Sequence, residues 1–129
     1  KIDKVIGVMK AYSTCVGSGP FTTEMHESEA KELRETAFEY GASTGRPRRI
    51  GHFDAVAARY GAKLQGTDEI AITKVDSLSG QKKLYICTEY MINGESTKEF
   101  PLTPALEIAE PVYIEMEGWS EDISHCRKF

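Results

Sequence analysis

Apolar positions along this chain fall into short runs separated by glycine, proline and charge. Residues 5–16 open on Val5, Ile6, Val8 and Met9 and run into β-branched Thr14 and Val16, which predicts a partly buried strand. Gly17, Gly19 and Pro20 end it in a turn. After Glu27 the pattern predicts a helix, with Ser28 as N-cap, Glu29 in the first turn, Gly41 past the end, and Ala30, Leu33, Ala37 and Phe38 facing the core. Residues 41–51, GASTGRPRRIG, carry glycine at both ends and in the middle and a helix-breaking proline, and read as an exposed loop. A second helical pattern over residues 53–63 is capped by Asp54. A short strand over residues 69–75 would put Ile70, Ile72 and Lys74 on one side, with Asp76 at its carboxyl end. Residues 83–92 and 95–100 flank Asn93-Gly94, the signature of a tight hairpin, and a further strand follows Pro111. Residues 118–129 are polar and aperiodic, stopping at Lys128-Phe129.

Composition narrows the class. A chain of 129 residues is the size of one domain and can bury roughly two-thirds of its unfolded surface; 40% apolar and 28% charged residues are ordinary globular values. No apolar run is long enough to cross a bilayer, and the charged first ten residues lack a signal-peptide pattern. Cys15, Cys87 and Cys126 are odd in number and widely spaced, which argues against a disulfide framework or zinc site and for a reducing, cytoplasmic setting. A net charge of −4 disfavours nucleic acid as a partner, while leaving room for a local basic cluster that binds an anion.

That cluster is Ser43-Thr44-Gly45-Arg46-Pro47-Arg48-Arg49. Glycine lets backbone approach an anion, and hydroxyls and planar guanidiniums converge on it, the latter suited to bidentate contact with carboxylate or phosphate. Taken alone, such a cluster is as readily a solvated surface loop. A second constellation, Thr73-Lys74-Val75-Asp76, has the (N/T)KxD form with which guanine-nucleotide proteins select their base. A carboxylate can accept from guanine N1–H and the 2-amino group, whereas adenine offers neither donor; residues 74 and 76 would share one strand face, so that the lysine stem covers the ring while the carboxylate reads its edge. Taken alone, a four-residue string matches by chance more often than by function. Gly17-Ser18-Gly19-Pro20 lacks the GK(S/T) ending of a phosphate loop and reads as a structural turn; His26, His52 and His125 are dispersed and form no triad.

Residues 10–21 (KAYSTCVGSGPF), 39–49 (EYGASTGRPRR), 53–57 (FDAVA) and 73–76 (TKVD), with Cys87, Tyr90 and residues 111–121 ending in Gly118-Trp119-Ser120-Glu121, occur in an order that strongly resembles the adenylosuccinate synthetase family across essentially the whole chain. The resemblance implies an α/β (mixed α+β) fold, helices packed on a small mixed sheet that belongs to a larger one in the parent. It implies a GTP-dependent ligase joining L-aspartate to inosine monophosphate (IMP), with magnesium, as a cytoplasmic homodimer. It places Ala42, Ser43, Thr44, Gly45, Arg46, Pro47 and Arg48 in the aspartate-binding loop, Arg46 and Val16 at the IMP ribose, and Arg48, Lys74, Val75 and Asp76 at GTP.

Departures are visible. Cys15 stands where many members have arginine, Pro47 interrupts what is often a run of four arginines, and His52 replaces a frequent tryptophan. The family's GDEGKG phosphate loop, catalytic aspartate and histidine, magnesium ligands and carboxyl-terminal guanine loop are not among these residues. The expectation is a fragment, one domain over residues 1–129, that carries substrate loops and is inactive alone. The rival class is a non-catalytic guanine-nucleotide-binding module; single-stranded RNA binding is disfavoured because Tyr40 and Phe53 have no stacking register with the arginines.

Overall fold

The computed structural model describes residues 2–127 and is mixed α/β. In chain order it contains β1 (Ile6–Lys10), β2 (Ser13–Cys15), α1 (Glu27–Ala37), β3 (Arg49–Gly51), β4 (Phe53–Asp54), α2 (Ala55–Gln65), β5 (Glu69–Thr73), a 3-10 turn (Asp76–Leu78), β6 (Lys83–Ile92), β7 (Glu95–Thr97), α3 (Thr103–Leu106) and β8 (Glu110–Glu117). Instead of the one small sheet anticipated, the described strands form three: β1 parallel to β5, β2 antiparallel to β3, and long β6 carrying β4, β7 and β8.

The single strand expected over residues 5–16 is broken at Ala11-Tyr12 because the chain changes partner there, from β5 to β3. Helix α1 is capped by His26, not Ser28: the imidazole accepts from the Ser28 amide, and Ser28 lies inside the helix. It stops at Phe38, in the left-handed region at φ 54°, rather than at Gly41. That reversal turns Phe38 outward, 83% exposed where a core position was expected, and turns Glu39 inward at 3%. The basic loop is shorter than read, since Arg49–Gly51 joins β2 and Ile50 is fully buried.

Other elements form where the pattern puts them. Asp54 caps α2, its carboxylate accepting from the Val56 and Ala57 amides at 3.0 Å each and from the buried Tyr90 hydroxyl. Asn93 and Gly94, both at positive φ, close the β6–β7 hairpin. Two apolar clusters result. Tyr12, Ala30, Leu33, Ala37, Ile50 and Leu78 form one, and Val56, Cys87 and Tyr90 the other.

The polar stretch after β8 is neither helix nor strand as far as it is described, with Lys128 and Phe129 outside the described residues. It is nonetheless anchored: Trp119 packs on the first cluster, donates to Ser79 Oγ at 3.1 Å, and accepts from the Gly80 amide at 2.9 Å. This docking requires Gly118, where a Cβ would lie 1.8 Å from the Gln81 carbonyl oxygen. Gly118→Ala is therefore expected to cost roughly 2–4 kcal/mol of stability through forced backbone displacement. Thermal melting checks it, and an unchanged midpoint would contradict the close approach.

Candidate substrate-binding site

The first strut of the site is the end of α1. Arg34, buried in the helix's last turn, clasps Glu27 with both terminal nitrogens at 2.8 and 3.0 Å and donates its Nε to the Arg48 carbonyl at 2.9 Å. The loop's far end is thus fastened to the helix. Between Tyr40 and Pro47, which form an isolated bridge, the chain closes on itself: the Gly41 amide donates to the Arg46 carbonyl and the Gly45 amide to the Gly41 carbonyl, each at 2.8 Å. Gly45 makes this turn at φ 64°, a conformation costly for a residue with Cβ. Residues 42–47 remain exposed on this small frame.

The three arginines of the cluster have separate employments. Arg49 is structural: it grips Glu24 at 2.7 and 2.6 Å and donates to the Gly17 and Gly19 carbonyls, fixing the Gly17-Ser18-Gly19-Pro20 turn. Arg48 donates to Glu39 Oε2 at 2.6 Å and is about one-third exposed. Among the described residues the Arg46 guanidinium has no hydrogen-bond partner, so its donors are available to a ligand.

Glu39 was not singled out from sequence and is the centre of the site. Its Oε1 accepts from Tyr12 at 2.6 Å and Lys10 at 2.9 Å, while Oε2 holds Arg48. Burial pushes its carboxyl up, but the hydrogen bonds from Tyr12, Lys10 and Arg48 outweigh burial and bring its pKa down to about 2. Burial, reinforced by Glu39, pushes the Tyr12 hydroxyl well above the ordinary tyrosine range, so it remains a donor. The sequence did contain a signal: Lys10, Tyr12 and Thr14 alternate, which puts their side chains on one face of extended chain, and Lys10 also donates to Thr14 at 2.7 Å.

The folded carboxyl pKa lies below the unfolded value of about 4.3, so ionised Glu39 stabilises the fold above that pH, and the contribution is lost as pH falls toward about 2. The shift corresponds to about 3 kcal/mol. Glu39→Gln should flatten the dependence of stability on pH between about 4.5 and 2. Denaturant midpoints across that range measure it, and identical slopes in the two proteins would refute the network's role.

The guanine-type segment differs from its expected form. β5 stops at Thr73, Lys74 adopts φ 60°, and Asp76 opens a 3-10 turn, so residues 74 and 76 share no strand face. The positive φ turns the chain instead: Lys74 Nζ donates to the Ala37 carbonyl at 3.2 Å, at the carboxyl end of α1 where a cation is favoured. Val75 is half-buried and Asp76 is exposed, its carboxylate without a hydrogen bond among the described residues. Strand pairing brings this segment to the loop: the Ala11 amide donates to the Thr73 carbonyl at 2.9 Å, one residue from Tyr12, and Ser77 adjoins the Tyr12 hydroxyl. Val16 lies just after β2, 76% exposed.

An apolar cleft of about 290 Å³ opens behind Tyr12, walled by His52, Val75, Leu84, Tyr85 and Trp119; Arg46, Arg48 and Asp76 do not line it. His52 sits against the Tyr85 and Tyr113 edges, and burial lowers its pKa against the opposing pull of Glu29, leaving it aromatic filler. Among the described residues no group of three or more histidine, cysteine or carboxylate side chains could hold a metal ion. No described helix is long and apolar enough to cross a membrane.

Known proteins match this arrangement along its length. The family model described as adenylosuccinate synthetase matches residues 1–129. The adenylosuccinate synthetase of Caldanaerobacter subterraneus subsp. tengcongensis is 50% identical over 129 residues, 99% of this chain and 30% of the relative; that of Brevibacillus brevis is 51% identical over 128 residues, 98% of this chain and 30% of the relative. A solved structure of fully ligated adenylosuccinate synthetase from Plasmodium falciparum superposes with a TM-score of 0.93 at 39% identity, covering 99% of this chain and 31% of that one. The chain spans 30% of the length of these two curated relatives, and with a family model along its whole length and half of its residues shared with them, it belongs to the adenylosuccinate synthetase family.

Proposed function

We propose that the full-length protein containing this chain is a GTP-dependent carbon–nitrogen ligase that joins L-aspartate to IMP, giving adenylosuccinate, GDP and phosphate in purine nucleotide synthesis. The observation that carries this reading is the division of labour among the arginines: Arg49 in the cluster and Arg34 beneath it are consumed by structure, while Arg46 and part of Arg48 stay available on a closed loop joined through Lys74 and Ala37 to the segment that bears an unpaired Asp76. In the reaction GTP phosphorylates the 6-oxygen of IMP, and the aspartate amine then displaces that phosphate. Arg46 takes an aspartate carboxylate on its guanidinium fork and reaches the IMP ribose, which Val16 also approaches; Ala42, Ser43, Thr44, Gly45 and Pro47 shape the loop around the amino acid. Arg48 stands between aspartate and GTP, and Lys74, Val75 and Asp76 receive guanine. These residues orient reactants and exclude water, the means by which phosphoryl transfer is chiefly accelerated.

Magnesium, which the family's chemistry implies, finds no ligand set among the described residues, and these side chains are assigned binding only. The phosphate loop and catalytic acid and base are expected elsewhere in the full-length protein, a cytoplasmic homodimer. Chromatographic assay for adenylosuccinate after incubation with GTP, IMP, aspartate and magnesium tests the proposal. The full-length protein should form product and residues 1–129 alone should not. Turnover by the isolated chain would sink the assignment of catalysis to other segments, and GTP binding without product in the full-length protein would leave a non-catalytic guanine-nucleotide module.

A further inference from the structure

Resting on the proposed function, the geometry points to Glu39 as a positioning residue that ties the aspartate loop to the guanine segment, so that the two substrates are held in one register. Three observations converge on it. Glu39 is buried immediately before the loop and spends its carboxylate on groups from two directions: Arg48 at the loop's end through Oε2, and Lys10 and Tyr12 at the end of β1 through Oε1. The residue between those two, Ala11, is hydrogen-bonded to Thr73, which directly precedes Lys74, while Tyr12 packs in one cluster with Leu78 at the end of the 3-10 turn that Asp76 opens. A second strut runs the other way: Lys74 Nζ binds the Ala37 carbonyl, two residues before Glu39. Loop and guanine segment are thus joined by a closed circuit of hydrogen bonds with one carboxylate at its crossing.

Charge gives the arrangement a direction. One buried carboxylate faces two cations, Lys10 and Arg48, both partly exposed, so the cluster keeps a surplus positive charge at the surface. With Lys10 sharing the carboxylate, Arg48 is oriented by Glu39 and still attractive to an anionic ligand. Glu39 touches neither substrate in this account and acts through Arg48 and Tyr12.

The test is steady-state kinetics on a full-length synthetase carrying this segment, with aspartate and GTP varied separately. Glu39→Gln should raise the KM of both by about tenfold or more, since the amide can no longer hold Arg48 as a charged partner. Tyr12→Phe, which keeps the ring in its cluster, should raise the GTP KM more than the aspartate KM, because Arg48 retains Glu39. A purely structural Glu39 would lower kcat through loss of active molecules and leave both KM values in place, and that outcome overturns the inference. So does movement of only one KM in Glu39→Gln. If that variant does not fold, Tyr12→Phe decides: equal or absent shifts in the two KM values overturn the tie. Arg46→Leu run alongside separates the failures. If it leaves the aspartate KM unmoved, the underlying site assignment fails; if it moves that KM while Glu39→Gln moves neither, the inference alone fails.

Discussion

Replacing Asp76 by asparagine in the full-length protein is expected to reduce the preference for GTP over ATP by two or more orders of magnitude. Guanine presents two donors, N1–H and the 2-amino group, that one carboxylate can accept together, and a site built on such pairs discriminates by roughly 10⁴. An amide keeps one acceptor and turns a donor toward the other guanine donor, so guanine loses a bond and meets a repulsion. Adenine gains the amide's tolerance, since its N1 is an acceptor. Asp76 is exposed and uncommitted, free to take this role, and the left-handed Lys74 two residues earlier is the kind of backbone outlier that accompanies binding segments. The ratio of kcat/KM for GTP to that for ATP reads the effect directly. A ratio unchanged within threefold refutes base reading by Asp76.

Legibility in the sequence followed locality. The Asp54 cap, the Asn93-Gly94 hairpin and the buried positions Ala30, Leu33 and Ala37 each depend on neighbours in sequence, and all three are present. What was not legible depends on distant partners. Nothing in residues 5–16 says that the chain leaves β5 for β3 at Ala11-Tyr12, yet that switch breaks the strand and delivers Tyr12 to Glu39. The burial of Glu39 and the outward turn of Phe38 are one event, a helix end reversed so that a carboxylate can meet Lys10, Tyr12 and Arg48; apolar periodicity predicts the opposite for both residues. The arginines show the same limit. Spacing alone offered three alike guanidiniums, of which the family resemblance assigned Arg46 and Arg48 to substrates and left Arg49 without a role; the placement of Glu24 and the Gly17 and Gly19 carbonyls is what makes Arg49 a brace.

Arg46→Leu carries the other large expectation, a rise in the aspartate KM of about one and a half to four orders of magnitude, the equivalent of roughly 2–5 kcal/mol for removing one partner of a desolvated charge pair. Its guanidinium stands on a loop closed by the Gly41–Arg46 and Gly45–Gly41 hydrogen bonds and is not engaged by any described side chain, so leucine should remove the ligand contact without disturbing the frame. Arg46→Lys should restore only part of the affinity, because a point charge cannot make two parallel hydrogen bonds. The Arg46 side chain takes no part in the hydrogen bonds that join the loop to Thr73 and Lys74, so GTP binding at the proposed guanine segment should be spared. The most direct test of residues 42–48 as the aspartate-binding loop is therefore the KM for aspartate in Arg46→Leu, measured at saturating GTP and IMP, beside the KM for GTP. The aspartate KM should rise at least about thirtyfold with the GTP KM within about threefold of the parent's; an aspartate KM that moves less than about threefold, under roughly 0.7 kcal/mol, would mean that Arg46 is a rim charge and that residues 42–48 are not the aspartate-binding loop.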